Sequence, residues 1–201
     1  MKKEEIIEIL RHNIARISKQ TKQDWDAFCE KPHLFVKTLR LQGKSMDIQN
    51  IVEQAIASDE KCQYIRINAQ DIANYVNDYN RDFDIIPHKE QMARYLNQCW
   101  QNSVLSHCPF LTSCANTHTE EYKACDKQLG YGILLIENID KVHTPNQYYY
   151  HAIYSIAKSR QLYDGILGGA WKVILGFEGD YGDSEGLAQY TEYLSVDKEL
   201  A

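Results

Sequence analysis

Two short segments place reactive side chains where one element gives way to another. Tyr131 to Val142 reads YGILLIENIDKV. The apolar run Ile133-Leu134-Leu135-Ile136 stops abruptly at Glu137, Asn138 and Asp140, the pattern of a buried strand that delivers acidic and amide groups to its carboxyl end. Ligands of open α/β sheets bind outside those ends, and a carboxylate there can hold a cation or a water beside a phosphate. A core strand that simply ends in a polar turn is the plain alternative. The second segment is Gly43-Lys44-Ser45. It follows Leu34, Phe35 and Val36 and precedes Ile48, Ile51, Val52, Ala55 and Ile56, which repeat at helical spacing. Between a strand and a helix these three residues form the second half of a phosphate-binding loop. The lysine would reach the outer phosphates, the serine hydroxyl would ligate magnesium, and the helix N-terminus would favour the anion. The first half is missing: Thr38 stands where the first glycine belongs, and Leu39-Arg40-Leu41-Gln42 lies between. An ordinary surface turn also accommodates glycine, lysine and serine.

The elements needed to position these groups follow in a suggestive order. Tyr64-Ile65-Arg66-Ile67-Asn68 reads as a strand running into a helix with Ile72, Tyr75 and Val76. Val173-Ile174-Leu175-Gly176-Phe177-Glu178 reads as another strand, and Tyr193-Leu194-Ser195-Val196-Asp197 as a last one. From about Leu34 to Ala201 this order resembles the AAA+ branch of the P-loop ATPases. ILLIENIDKV resembles its Walker B strand, and the strand ending at Glu178 resembles the one whose end carries a polar sensor. The resemblance implies a three-layer αβα sandwich with a mainly parallel five-stranded sheet, preceded by an N-terminal helix. Strands are expected near 34–37, 64–67, 132–136, 172–176 and 192–196, with the strand of Leu34 or of Ile133 at the centre. Near-continuous apolar strands fit a sheet covered by helices on both faces.

The resemblance also implies a nucleotide site of Gly43, Lys44, Ser45, Glu137, Asn138 and Glu178. ATP or ADP would bind there with magnesium on Ser45 and Glu137. The motifs are degenerate. Glu137 stands where the family has its magnesium-associated aspartate. Asn138 stands where it has its water-activating glutamate, and an amide cannot act as a general base. Glu178 replaces the usual amide or hydroxyl sensor. No arginine lies between Trp171 and Ala201, where an arginine finger is expected, and no helical lid follows. Several groups that stabilise phosphoryl transfer are therefore missing.

Composition narrows the remaining classes. The 201 residues suggest one domain, read as a helical arm over 1–30 and an α/β core over 31–201 with a loop-rich insertion at 106–130. The mean hydropathy is −0.51, and no apolar run approaches the roughly 20 residues that span a membrane. The N-terminus lacks the apolar core of a secretory signal, so a cytoplasmic protein is expected. A net charge of −6 argues against broad nucleic-acid binding, which rests on basic residues, and leaves only an indirect role or a local patch. Cys108, Cys114, His118 and Cys125 cluster in the insertion. Their spacing lacks the tight cysteine pairs of a zinc site, and no structural metal is expected there.

Along the chain, Ile6, Leu10, Ile14 and Ile17 line one face of a helix from Lys3 to about Lys19, expected to dock on the core or on a partner. Trp25 and Phe28 continue this arm. Asp78 to Pro87 reads as a polar loop, and Met92, Tyr95, Leu96, Cys99 and Trp100 as the inner face of a helix opened by Pro87. Thr144-Pro145 opens another helix with Tyr149, Ile153, Ile156 and Ala157 inside. Three functions remain in view. The first is a degenerate AAA+-like protein acting through a protein partner, through another AAA+ subunit or by self-association, with vestigial nucleotide binding and little hydrolysis. The second is an active ATPase of a remodelling or helicase-loading complex. The third is an α/β interaction protein with no nucleotide site.

Overall fold

The computed structural model describes residues 1–19, 36–79, 131–145, 147–159, 161–162, 165–166, 170–181 and 186–197. In chain order these form α1 (Lys3–Ile17), β1 (Thr38–Gln42), α2 (Ser45–Ile56), β2 (Gln63–Asn68), α3 (Ala69–Tyr79), β3 (Tyr131–Glu137), α4 (Gln147–Ser159), β4 (Gln161–Leu162), β5 (Gly165–Ile166), β6 (Ala170–Phe177), a single 3-10 turn (Ala188–Tyr190) and β7 (Thr191–Ser195). The helix expected after Pro87, the continuation through Trp25 and Phe28, and the insertion with its cysteines and His118 lie outside the described residues. Among the described residues no helix is long and apolar enough to cross a membrane.

Five strands make one sheet in the order β2-β3-β6-β1-β7, and every pairing in it is parallel. β4 and β5 pair antiparallel with each other. The apolar runs explain the parallel sheet. All seven residues of β3 are buried, so neither face of that strand meets water. Alternate residues then feed two cores. Leu39, Leu41, Ile133, Leu135 and Ile174 pack against Ile6, Leu10 and Ile14 of α1 and Ile48, Ile51 and Val52 of α2. Ile65, Ile67, Leu134, Ile136, Val173 and Leu175 pack against Ile72 of α3 and Tyr149, Ile153 and Ile156 of α4. The N-terminal helix is thus part of the core. Lys3 ties it to α2 by an ion pair with Asp47 at 3.0 Å, and Asp47 also suits the positive end of α2.

Three expectations need correction. The first strand is Thr38–Gln42, not 34–37: Val36 and Lys37 precede it, and Leu34 and Phe35 lie outside the described residues. β1 meets β6 in register from Leu39↔Ile174 to Gln42↔Phe177, which places the apolar Leu39 and Leu41 in the core. The centre of the sheet is β6, with β3 and β1 on either side. The helix expected at Thr144-Pro145 starts at Gln147, because Thr144 has a left-handed backbone (φ 51°) that cannot continue into a helix.

Candidate functional site

β1 sends the chain to β2 at one edge of the sheet, whereas its neighbour β6 sends it to β7 at the other. The chain direction therefore reverses between β1 and β6, and the crevice beyond their carboxyl ends is the topological switch point where such sheets bind ligands. A shallow depression lies there, lined by Gly43, Ser45, Ile48, Glu137, Asn138, Gly176, Phe177 and Glu178. Five of the six residues read from the sequence as a site meet in it. Lys44 does not line it: it is the residue before α2, its side chain is exposed, and it makes no ion pair among the described residues.

Strand ends are tied together around this depression. Gly43 N–H donates to the Phe177 carbonyl at 2.8 Å, Ile139 N–H to the Gly176 carbonyl at 3.1 Å, and Val196 N–H to the Gln42 carbonyl at 2.8 Å. Asp140 Oδ2 accepts from the backbone N–H of Glu178 at 3.2 Å and of Gly179 at 2.7 Å, so β3 and β6 end as one unit.

The stretch Thr38 to Gln42, expected to be the loop before the glycine, is β1 itself. Only Gly43 and Lys44 separate β1 from α2. A phosphate cradle needs several consecutive backbone N–H groups turned toward the anion. Here the Gly43 N–H is already spent on Phe177. The glycine has a packing reason instead: a Cβ at position 43 would come within 2.9 Å of Val196 Cγ2.

The acidic end of β3 is neutralised. Glu137 is 7% exposed. Its Oε1 accepts from Ser45 Oγ at 2.8 Å and from Gln49 Nε2 at 2.5 Å, and its Oε2 faces Arg66 Nε at 3.0 Å. Arg66 Nη1 also donates to Gln49 Oε1 at 3.0 Å, and Gln49 Nε2 reaches Ser45 Oγ at 3.1 Å, which closes the network. Geometry accounts for each partner. Gln49 lies one helical turn after Ser45 and shares its face. Arg66 is in register with Leu135, two residues before Glu137 on the neighbouring strand, so the two side chains meet diagonally on one side of the sheet. Ser45 spends its hydroxyl on Glu137 and makes no cap bond at the start of α2. The magnesium implied by the resemblance would need Ser45 and Glu137 together. These side chains already satisfy one another, and a guanidinium holds the charge, so the residues present do not fit a divalent cation.

Glu178 is neutralised as well, by Lys141 Nζ at 2.5 Å. That hydrogen bond moves the lysine pKa upward. Asn138 follows β3 with a left-handed backbone (φ 58°), a conformation asparagine tolerates and glutamate does not favour. The missing general base thus coincides with a backbone that selects against it. Tyr64, on the same strand as Arg66, has its hydroxyl pushed up to about 12, first by burial and then by Glu137.

Sequence reading missed Arg66, Gln49 and Lys141 as site residues, and it noted Asp140 at the end of the strand without placing it in the nucleotide site. The available signals were the Ser45–Gln49 spacing and the alternation of Arg66 between Ile65 and Ile67. Among the described residues, no group of three or more His, Cys, Asp or Glu side chains is placed to hold a metal ion. No protein-family model matches this chain, and no curated protein matches it. What stands is an α/β protein with an all-parallel five-stranded sheet and a shallow depression at its switch point whose carboxylates are paired with cations.

Proposed function

We propose that this chain is a degenerate, AAA+-like protein that acts by binding a protein partner, either another AAA+ subunit or a second copy of itself. Nucleotide binding is vestigial and hydrolysis is near zero. The two-residue junction between β1 and α2 carries this reading: it offers no loop to wrap a phosphate chain. Support for the family comes from convergence. The strand that leads into Gly43-Lys44-Ser45, the strand ending in Glu137 and the strand followed by Glu178 meet at one end of one parallel sheet. Support for the loss of catalysis comes from Asn138 in place of a base and from carboxylates that each hold a cation of their own. The depression has room for little more than one water molecule, about 10 Å³, far below the roughly 300–1,000 Å³ usual for small-molecule sites, which favours, as a second reading, an interaction protein with no nucleotide site.

Calorimetric and thermal-shift titrations with ATP and ADP, each with and without magnesium, separate the two readings. Weak heats and a small rise in melting temperature, diminished by Lys44→Ala, support vestigial binding. No response supports the second reading. Phosphate release is expected at background, and Asn138→Glu is expected to leave it there while costing roughly 1 kcal/mol of stability for a left-handed backbone at a non-glycine residue. Turnover of several ATP per minute by protein free of contaminating ATPase refutes the proposal. Sedimentation of the purified chain tests self-association.

A further inference from the structure

The Ser45–Glu137 pair has the residue types of a magnesium site and the contacts of something else. Its positive charge comes from within the chain. Arg66 Nε stands 3.0 Å from Glu137 Oε2, and the same guanidinium donates to Gln49, which donates in turn to Glu137 Oε1. The carboxylate is 9% exposed and the guanidinium 49%. The acid is therefore fixed inside the wall of the depression, while the arginine reaches it from the solvent side.

We propose that Arg66 is the resident cation of this site and excludes divalent metal from Ser45 and Glu137. The physical reason is charge. One carboxylate beside one guanidinium is already balanced, and a divalent ion placed against the same carboxylate meets the like charge of the guanidinium at close range. The ion must also take both the Ser45 hydroxyl and Glu137 Oε1 away from Gln49. The exclusion itself does not depend on whether nucleotide binds, because the cation can be probed alone.

Manganese serves as that probe, read by paramagnetic broadening of backbone amide signals in the full chain without nucleotide. In the wild type, no selective broadening is expected at Gly43, Ser45 or Asn138. Arg66→Met should bring selective broadening of these three signals at a manganese concentration at least about tenfold lower, since it removes the opposing charge. Arg66→Gln keeps a hydrogen-bonding side chain without the charge and should give the same gain, which maintains the test if the methionine variant is too unstable to assay. Arg66→Lys, which keeps the charge, should still exclude manganese. Adding Glu137→Gln to Arg66→Gln should abolish the gain. Selective broadening in the wild type overturns the proposal. So does a neutral Arg66 variant that behaves like the wild type, because Arg66 would then be a structural partner only.

Discussion

Replacing Glu192 should destabilise this protein far more than replacing Lys172, although the two form one ion pair. Lys172 lies on the central strand β6, and its side chain is fully buried. Its ammonium donates to the Lys37 carbonyl at 2.8 Å and to Glu192 Oε1 at 2.6 Å, tying β6 to the start of β1 and to β7. Glu192 is 40% exposed. Two charges at 2.6 Å attract by about 6 kcal/mol at an effective dielectric of about 20. Solvent at the exposed carboxylate removes about half of that, leaving about 3 kcal/mol. Glu192→Gln keeps an acceptor but takes this carboxylate's charge away from a buried ammonium, so its cost should be about 3 kcal/mol. For a chain of this size that lowers the melting temperature by about 6–12 °C. Lys172→Met behaves differently. It removes the buried charge and keeps most of the volume. Glu192 then hydrates, and the Lys37 carbonyl loses this donor, at about 1 kcal/mol. Urea denaturation of the wild type, both single variants and the double variant measures the asymmetry. The double variant should resemble Lys172→Met alone. If Lys172→Met costs as much as Glu192→Gln, or if the two effects simply add, the reasoning fails.

Two further outcomes follow from the packing and ionisation of the core. Gly43→Ala should cost about 1–3 kcal/mol by overpacking against Val196, and Val196→Ala should recover part of that loss in the double variant; a neutral Gly43→Ala would return the glycine to a role in ligand binding. Stability should also fall at alkaline pH. Burial pushes Cys62, Tyr64 and Tyr181 up to about 12, and raises Tyr131 and Tyr149 too, with the Asp59 hydrogen bond adding to the effect at Tyr131. Folded pKa values above unfolded ones mean that their contribution is complete below about pH 8.5–10 and is lost as the pH rises toward 12. The unfolding free energy from urea melts should therefore hold to about pH 8.5 and decline beyond it by at most about 1.4 kcal/mol per pH unit for each group, whereas an unfolding free energy flat to about pH 11 refutes the burial argument.

The sequence by itself determined which residues form most of the strands, and that these strands lie parallel. Ile65 and Ile67, the run from Ile133 to Ile136, and Val173 to Leu175 are apolar at every position that must face a core, and that is a local property. It also marked Glu137 and Asn138 as the end of a buried strand, because apolar residues stop there. The position of β1 was not local. Leu34 to Val36 is the more apolar stretch, yet the strand described is Thr38–Gln42, in which Leu39 and Leu41 enter the core between α1, α2 and β6 with Arg40 between them. That choice converted an expected phosphate loop into a strand. Only the tertiary structure decided the charge state of the site. Arg66 and Lys141 neutralise Glu137 and Glu178 across gaps of 71 and 37 residues (137 − 66 and 178 − 141). Electrostatic pairing acts through space, and no pattern along the chain records which side chains the sheet brings within about 3 Å of one another.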